Sequence, residues 1–581
     1  MASASPTSPS EESNFSLALI FSLTYFLLLF PLIGIFSIGS SSEAREVHIA
    51  KLMFETGDWI LPLRDGLLPS KPPLFHWLTA ALGHVIGFTN EFTARLVSLL
   101  FASATIFLTV FTAVKFAVGE YRRSMALASA LFIGTTYSFL RLSADCRVDM
   151  VFCFFVSLAV CVIVWPITPR NQRYAVATVL HRRRDFMWFY AACLAAVLTK
   201  GPLGIVLPGV AAFALTCWYY GIKTSFKLWL NNLHGLVFFT LLAPLWYYLA
   251  FERQGYDFIA KQLLFENIER FSGEEFIKNE PFWFYVPSIL RTAFPWSLFF
   301  IYLLFTGVSD KVKSKEHLGV QLRPAQAINC MLVWFFSGFL FFSAAAGKRH
   351  AYLVPLFIPM SIYLAGIVYK REFLNAGRRG KIKNFLVYFL AVLGVATAIL
   401  PGTLPIKDPG IFYADVWINK FQDVLTCLFF IPLSCKIFFK FFAADKFWSR
   451  DSLIYVSLVL GIALSIAIGL GIKNSLKNFE NSAADIRIRI KPGEKIYLVR
   501  QAREEWLDPL MLYLDRQAAV IDPFNLGAAN ICNAYYIYQK KYQYLFSRRH
   551  KVLAEYKPLV ESKKNEMEHN VVLGFYDCSL S

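Results

Sequence analysis

Long apolar runs separated by short basic connectors dominate the chain between residues 15 and 471. A helix that rises 1.5 Å per residue needs about 20 apolar residues to cross roughly 30 Å of hydrocarbon. The pattern therefore predicts a polytopic α-helical membrane protein with about 13 transmembrane helices. Their centres fall within residues 15–38, 94–114, 123–140, 150–167, 186–199, 203–221, 233–250, 287–306, 327–345, 350–369, 384–402, 421–440 and 452–471.

The first apolar run is predicted to be a retained span and not a cleaved signal peptide. Residues 1–13 contain no Lys or Arg and carry Glu11 and Glu12. The apolar core that follows is longer than the hydrophobic part of a signal peptide, and no small-residue cleavage motif ends it.

Composition and charge agree with a membrane protein. Apolar residues make up 56% of the 581 residues and charged residues only 17%, too few to cover a water-soluble protein of this size. The net charge of +18 would suggest nucleic acid in a soluble protein, but the basic residues fall in alternate connectors, as the positive-inside rule requires of cytoplasmic loops. We therefore expect a cytoplasmic N-terminus and no nucleic-acid partner. An odd number of spans then places the C-terminus outside.

The segment after the last apolar run has the composition of a small α/β domain. The sequence predicts a transmembrane domain over residues 1–472 and an extracytoplasmic α/β domain over residues 473–581. Ile486, Ile488 and Ile490 alternate with basic residues, a pattern typical of a strand. Downstream, the sequence predicts strands at 495–500 and 518–521 and a helix over 507–516. Cys532 and Cys578 also lie in this segment, and whether they pair stays open.

The connector between the first two spans, residues 40–92, is far longer than a simple loop and is called the long connector below. Apolar residues recur in it at near-helical spacing after Ser42, which predicts a helix lying in the membrane interface. A second such helix is predicted from Leu74 to Gly87, with Phe75, Trp77 and Leu78 as interfacial anchors.

An ordered set of short motifs resembles the polyprenyl-phosphate-sugar-dependent glycosyltransferases of the GT-C fold, which include aminoarabinose transferases acting on lipid A and protein O-mannosyltransferases. No single motif is specific, but together they span roughly residues 15–370 in the order found in the family. They are Ser42-Glu-Ala-Arg45, Gly57-Asp-Trp59, Lys71-Pro-Pro73, Trp77-Leu-Thr79, Glu91-Phe-Thr-Ala-Arg95, Asp149, Leu198-Thr-Lys-Gly-Pro202, Glu266-Asn267, Arg270-Phe271, Phe294-Pro-Trp296, Gly347-Lys348 and Tyr352-Leu-Val-Pro355.

The resemblance implies a lipid-phosphate sugar donor and assigns candidate site residues. Cations are needed where charge develops on the leaving phosphate, and a carboxylate is needed to take a proton from the acceptor. The catalytic candidates are Glu43 and Asp149, with Asp145 as a further carboxylate; Arg141 and Arg147 are alternative ion-pair partners for Asp149. The substrate-binding candidates, all on the predicted outer side, are Arg45, Lys71, Lys200, Arg270, Lys348, Arg349 and Tyr352.

Three positions depart from the family pattern. Ser42 stands where the family usually has the catalytic Asp, Ser70 where a metal-binding Glu precedes Lys-Pro, and Phe265 where a His is common. These substitutions leave Glu43 as the leading base and weaken the case for a divalent metal, which stays possible with weak support. No metal ligands and no certain cofactor are assigned from the sequence.

The leading hypothesis is a glycosyltransferase that moves a sugar from a polyprenyl-phosphate donor to a lipid A-like or protein acceptor at the outer face of a bacterial inner membrane. Two alternatives stay open: a transporter or flippase of lipid-linked sugars, and a relative that binds glycolipid without turnover. Transporters place polar residues and broken helices near the bilayer midplane, whereas the ionisable residues here concentrate in predicted outer loops.

Overall fold

The structure is a computed structural model of the whole chain. It describes residues 11–34, 38, 40–64, 66–117, 122–167, 183–262, 264, 280–307, 328–368, 479–490, 494–499, 508–514, 519–521, 523, 534–539, 550–556 and 571–576. Three of the predicted spans, 384–402, 421–440 and 452–471, lie outside the described residues.

Before residue 369, all the extended secondary-structure elements that the structure describes are helices. Its α-helices are α1 Glu11–Leu29, α2 Ser41–Thr56, α3 Leu74–Ile86, α4 Glu91–Phe116, α5 Arg122–Gly134, α6 Tyr137–Ser143, α7 Asp149–Val164, α8 Arg183–Lys200, α9 Leu203–Tyr220, α10 Ile222–Leu230, α11 His234–Ile259, α12 Tyr285–Thr292, α13 Trp296–Gly307, α14 Cys330–Ala344 and α15 Phe357–Val368. Short 3-10 helices cover Phe30–Leu32, Trp165–Ile167, Phe282–Phe284 and His350–Leu356.

Among the described residues, six helical stretches are long and apolar enough to cross a bilayer, and two bent pairs raise the number to eight. The six are Glu12–Leu32, Glu91–Phe116, Asp149–Ile167, Leu203–Tyr220, His234–Gln262 and His350–Ile367. Each coincides with a predicted span. The chain is therefore an integral membrane protein, while the total of 13 spans stays a prediction.

Two predicted spans are sharply bent. The run predicted at 123–140 consists of α5 and α6, which meet at 75°, and the run at 287–306 consists of residues 282–292 and 296–305, which meet at 118°. Pro295 lies in the second bend, where a ring without an amide hydrogen disfavours a continuous helix. The number of consecutive apolar residues does not predict such bends.

Two further predicted spans are helical but weaker as spans. The helix α8 carries four charged residues, Arg183, Arg184, Asp185 and Lys200, and α14 is only 15 residues long. Both pack inside the bundle, since Phe189 and Trp334 are almost fully buried.

Both helices predicted in the long connector are present as α2 and α3. The helix α2 ends at Gly57, whose left-handed φ of 70° lets its amide close the last turn on Met53. Half of the 16 residues of α2 are buried against protein. The prediction that Phe75 is an interfacial anchor is wrong, because its ring is completely buried between α2, α4 and the C-terminal segment.

The described C-terminal residues form a five-stranded sheet with two helices. The strands β1 Ile496–Val499, β2 Ala519–Ile521, β3 Ala534–Gln539, β4 His550–Tyr556 and β5 Val571–Tyr576 lie in the order β2-β1-β3-β5-β4. The first three are mutually parallel, and β5 is antiparallel to both of its neighbours. The helices are α16 Phe479–Arg489 and α17 Asp508–Leu514. This mixture confirms the predicted helix near 507–516 and the strands near 495–500 and 518–521.

The strand pattern predicted at 486–490 is wrong, because residues 486–489 form the end of α16 and the amide of Ile490 closes its last turn on Ile486. Ile486 and Ile490 are buried at 0% and 2% exposure, whereas Ile488 is 85% exposed. Positions four apart share one face of a helix, so the buried pair also fits a helical period. Three alternating residues are too few to separate the two periods.

Candidate active site

The first turn of α2 brings Glu43 into the interior of the bundle. The backbone of Ser40 is extended and the helix begins directly after it, so Glu43 lies in the first turn, where the helix dipole favours a carboxylate. Its side chain is 2% exposed, and its Oε1 accepts a hydrogen bond of 3.1 Å from the backbone amide of Cys146. This contact ties α2 to residues 144–148, the turn between α6 and α7.

A second buried carboxylate, Asp145, lies in that turn within electrostatic reach of Glu43. Burial raises the pKa of Asp145, and the negative charge of Glu43 raises it further, while Arg141, Arg147 and Arg95 oppose the shift only in part. The Arg141 Nε lies 3.5 Å from the Asp145 Oδ2. Asp145 therefore retains its proton more readily than an isolated carboxyl group would, a property typical of acid–base sites.

Asp149 begins α7 between two cations. Its Oδ1 lies 2.6 Å from the Lys200 Nζ and its Oδ2 lies 3.0 Å from the Arg147 Nε. Lys200 also lies over the rings of Phe152 and Tyr352, at 5.1 and 4.7 Å from their centroids. Of the two ion-pair partners considered from the sequence, Arg147 is the one that pairs with Asp149, and Arg141 pairs with Asp145. Both carboxylate oxygens of Asp149 are thus engaged by cations.

A buried pair that sequence reasoning missed links α2 to α3. The Glu46 Oε1 accepts from both Nε and Nη2 of Arg45 at 3.1 Å, and its Oε2 lies 2.8 Å from the His76 Nε2. Burial alone would raise the pKa of Glu46, but Arg45, His76 and Lys71 outweigh it and hold that pKa at about 2. Two cations, Arg45 and Lys71, and the ring of His76 therefore surround one carboxylate that stays ionised. A signal was present: Glu46 follows Glu43 by three residues, so both share one helical face.

Arg147 joins these pairs into one site. Its guanidinium interacts electrostatically with Asp149, Asp145, Glu43 and Glu46. We call these five residues, together with Arg45, Lys71, His76 and Lys200, the charged cluster. It unites α2, α3, the turn before α7 and the end of α8, although its members are spread over more than 150 residues of sequence.

Residues just before and at the start of the last described span, His350–Ile367, border the charged cluster. Arg349 is exposed and close enough to Asp149 for its charge to act on that carboxylate. The Tyr352 ring contacts both the Lys200 ammonium, at 4.7 Å from its centroid, and the ring of Phe342, with which it stacks at 5.8 Å. Lys348 instead donates to the carbonyl of Glu280 at 2.8 Å and to that of Ala345, and burial lowers its pKa. The hydrogen bonds of its ammonium therefore go to backbone carbonyls and not to the carboxylates of the charged cluster.

Of the nine predicted site residues, eight lie in the described part of the chain and Arg270 lies outside it. Glu43, Arg45, Lys71, Asp149 and Lys200 fall within the charged cluster, and Arg349 and Tyr352 border it. Lys348 is the predicted cation least oriented toward the carboxylates.

The described residues give little support to a metal centre. Among them, no three His, Cys, Asp or Glu side chains are close enough to hold a metal ion. Ser70, at the position of the family's metal-binding Glu, is buried, and Phe265 lies outside the described residues. Since the donor set does not fit, no reaction step is assigned to a metal.

Comparisons with known proteins match the same region. The family model for dolichyl-phosphate-mannose-protein mannosyltransferases matches residues 41–258. The undecaprenyl phosphate-alpha-4-amino-4-deoxy-L-arabinose arabinosyl transferase 1 of Sodalis glossinidius is 28% identical over 61% of this chain, although the match covers only 58% of that relative. A similarly named transferase of Shewanella sediminis is 26% identical over 68% of each chain.

The fold is shared with a solved transferase over nearly the whole chain. The crystal structure of ArnT from Cupriavidus metallidurans bound to undecaprenyl phosphate superposes with a TM-score of 0.71 at 18% identity, covering 96% of this chain and 97% of that one. The resemblance inferred from the sequence is therefore confirmed: this chain is a membrane protein that is similar to the GT-C type glycosyltransferases over most of its length and has their fold.

Proposed function

We propose that the protein is a glycosyltransferase that moves a sugar from a polyprenyl-phosphate donor to an acceptor at the membrane surface. The observation that carries this proposal is the charged cluster, in which buried carboxylates and at least four cations converge beside the end of a helix bundle. Such a site suits a phosphate leaving group and a hydroxyl nucleophile together. The named activities and bound lipid of the similar proteins support the same class of donor.

In the proposed reaction, an acceptor hydroxyl attacks the anomeric carbon of the donor sugar. The bond between that carbon and the phosphate oxygen breaks, and its electron pair leaves with the lipid phosphate. Glu43 takes the proton of the attacking hydroxyl, and Lys71, Arg45 and Arg270 stabilise the charge that grows on the phosphate. A displacement of this kind inverts the anomeric carbon and needs one base opposite the leaving group.

The remaining predicted residues have supporting roles. Asp149 keeps Lys200 and Arg147 in place, since a buried lysine without a partner would be costly. Tyr352 helps to hold Lys200 in place, because the Lys200 ammonium lies over its ring. Lys348 orders the turn that carries Arg349, whose exposed guanidinium is available to substrate.

We further propose a lipid A-like acceptor, with a protein acceptor as the second choice, and a location in a bacterial inner membrane with the C-terminal segment outside. The lipid A assignment follows the arabinosyl transferases among the relatives, and the protein assignment follows the matching mannosyltransferase family. No residue in the charged cluster distinguishes the two acceptors.

The proposal is tested by reconstituting the purified protein with undecaprenyl phosphate-4-amino-4-deoxy-L-arabinose or a polyprenyl-phosphate mannose, each with lipid A or with serine-containing peptides. Mass spectrometry should detect one pairing in which the acceptor gains a sugar. Movement of the donor across a liposome bilayer without transfer would instead identify a flippase. Saturable donor binding with neither transfer nor movement would identify a non-catalytic relative.

A further inference from the structure

We infer that helix α17 of the C-terminal segment positions the active site, with Tyr513 and Asp508 as positioning residues that set the placement of the long connector. The inference rests on the proposed function for its kinetic test, but its structural consequence can be measured without it. It arises because α17 contacts the long connector near its start, its middle and its end, and the candidate base and two donor-binding cations lie between those points.

Through a single hydroxyl, Tyr513 contacts Ile38, just before the connector begins, and Glu91, at its end. Its Oη accepts a hydrogen bond of 2.6 Å from the amide of Ile38, three residues before α2 begins. The same hydroxyl donates to Oε1 of Glu91, the first residue of α4, at 3.4 Å. A phenol has one hydrogen to donate and lone pairs to accept, so it can serve both contacts at once.

Asp508 holds the middle of the connector. Its carboxylate forms an ion pair with Arg64, and the two side chains are 2% and 5% exposed. Arg64 lies in a tight turn that is closed by reciprocal backbone hydrogen bonds between Arg64 and Leu67. This turn ends at Leu67, four residues before Lys71. Removing either partner of an ion pair this deeply buried would be strongly destabilising, because the remaining charge would be buried without compensation.

Apolar packing completes the contact beside the charged cluster itself. Leu512 joins a buried group that contains Ala44, Val47, Phe75 and Cys146. Ala44 follows the candidate base Glu43, and Cys146 provides the amide that Glu43 accepts from. A shift of α17 would therefore be transmitted to α2 through close-packed side chains, which do not deform continuously.

The alternative is that α17 only anchors the C-terminal segment to the bundle and contributes stability without affecting the site. Substrate positioning within a fraction of an ångström is decisive for transfer reactions. A positioning role predicts that disturbing α17 raises the donor KM and makes the connector more mobile. A purely anchoring role predicts a loss of overall stability alone.

The first test compares Tyr513→Phe with a matched control, Tyr535→Phe. The Tyr535 hydroxyl also makes hydrogen bonds, to the carbonyl of Arg489 at 3.2 Å and with the side chain of Glu494, but both partners lie within the C-terminal segment. Each variant loses the hydrogen bonds of one hydroxyl, so the two losses of stability should be similarly small. We expect the donor KM to rise roughly 3- to 10-fold in Tyr513→Phe, with kcat changed less, and to stay at the parental value in Tyr535→Phe.

The second test uses the ion pair. Asp508→Asn should lower kcat/KM by about 10- to 100-fold because it leaves the Arg64 charge buried and unpaired. The double variant Asp508→Asn/Arg64→Gln should recover most of that loss, since neither charge then remains. A double variant no better than the single one would show that the ion pair does not act through the connector.

The third measurement does not depend on transferase activity. Amide hydrogen exchange in residues 41–72 should speed up in Tyr513→Phe and Asp508→Asn, and not in Tyr535→Phe. If the parent transfers no sugar but the exchange changes as expected, the proposed function fails while the positioning role stands. Unchanged exchange in the connector together with unchanged donor KM in both variants would overturn the inference.

Discussion

Replacing Glu43 by Gln tests the candidate base with minimal structural change. The two side chains have the same shape, and the amide oxygen of Gln still accepts the hydrogen bond that the Cys146 amide now gives to Oε1 of Glu43. The substitution removes one negative charge from the charged cluster and abolishes the capacity to take a proton. The helix α2 should otherwise stay in place.

The expected loss follows from the proposed role of the carboxylate. General-base assistance accelerates a reaction roughly 10²- to 10⁴-fold, which corresponds to about 2.7–5.5 kcal/mol in activation free energy. If Glu43 only held the turn at Cys146, the Gln variant would keep that hydrogen bond and its rate would fall far less. A rate loss of two decades or more, with donor affinity unchanged, therefore identifies the base.

The pH dependence gives a second signature. The negative charge of Glu43 contributes to the raised pKa of Asp145, so removing that charge should lower the pKa of Asp145. If Asp145 must be ionised for residual activity, the acidic limb of the residual pH–rate profile moves to lower pH in Glu43→Gln. If Asp145 must instead be protonated for residual activity, the alkaline limb of that profile moves to lower pH.

The assay is single-turnover sugar transfer with saturating donor, followed by donor-binding measurements on the same preparations. Glu55→Gln is the matched control, because Glu55 lies on the same helix, is half exposed and pairs with Lys51 at 3.7 Å. Ser42→Ala should be mild, and Ser42→Asp should preserve or raise the rate. Parental turnover in Glu43→Gln would refute the reasoning, and activation of an inactive parent by Ser42→Asp would identify a degenerate enzyme.

Three further outcomes are expected. Asp149→Asn should lower the free energy of unfolding by about 3–5 kcal/mol because it leaves buried cations unpaired, and adding Lys200→Met should restore part of this in thermal unfolding; equal stability of parent and single variant would contradict the ion-pair role. Lys71→Ala and Arg270→Ala should each weaken binding of the polyprenyl-phosphate donor roughly 10- to 150-fold, the effect of losing about 1.5–3 kcal/mol; unchanged affinity in both folded variants would eliminate phosphate binding there. Since the pKa of Glu46 is depressed to about 2 from 4.5, its stabilising effect is complete above pH 4.5 and lost as pH falls toward 2; Glu46→Gln should therefore be less stable than the parent at pH 7, and the gap should close in acid unfolding.

Local patterns in the sequence were sufficient for much of the fold. The long apolar runs identify the spans because a lipid environment permits few other structures. The two connector helices and the strands β1 and β2 were also predicted, since their periodicity and turn residues lie within ten or so consecutive positions. The same reasoning placed Glu43, Lys71 and Asp149 on the correct segments, with their roles implied by family motifs.

The contacts that build the site could not be read from such patterns. Lys200 pairs with Asp149 across 51 residues of sequence, and His76 pairs with Glu46 across 30. Local periodicity carries no information about which helices meet, so Glu46 and His76 looked like ordinary polar residues. Their chemistry exists only once α2 and α3 pack together and exclude water.

The C-terminal segment shows the same limit most clearly. Its sequence alone determined that strands and a helix would form after residue 490, because hydrophobic alternation and turn residues act locally. Only the tertiary structure decided that Tyr513 would touch Ile38 and Glu91, more than 400 residues away. The physical reason is that a buried hydroxyl takes whichever partners the packed elements bring to it, and that packing is settled by shape complementarity over the whole molecule.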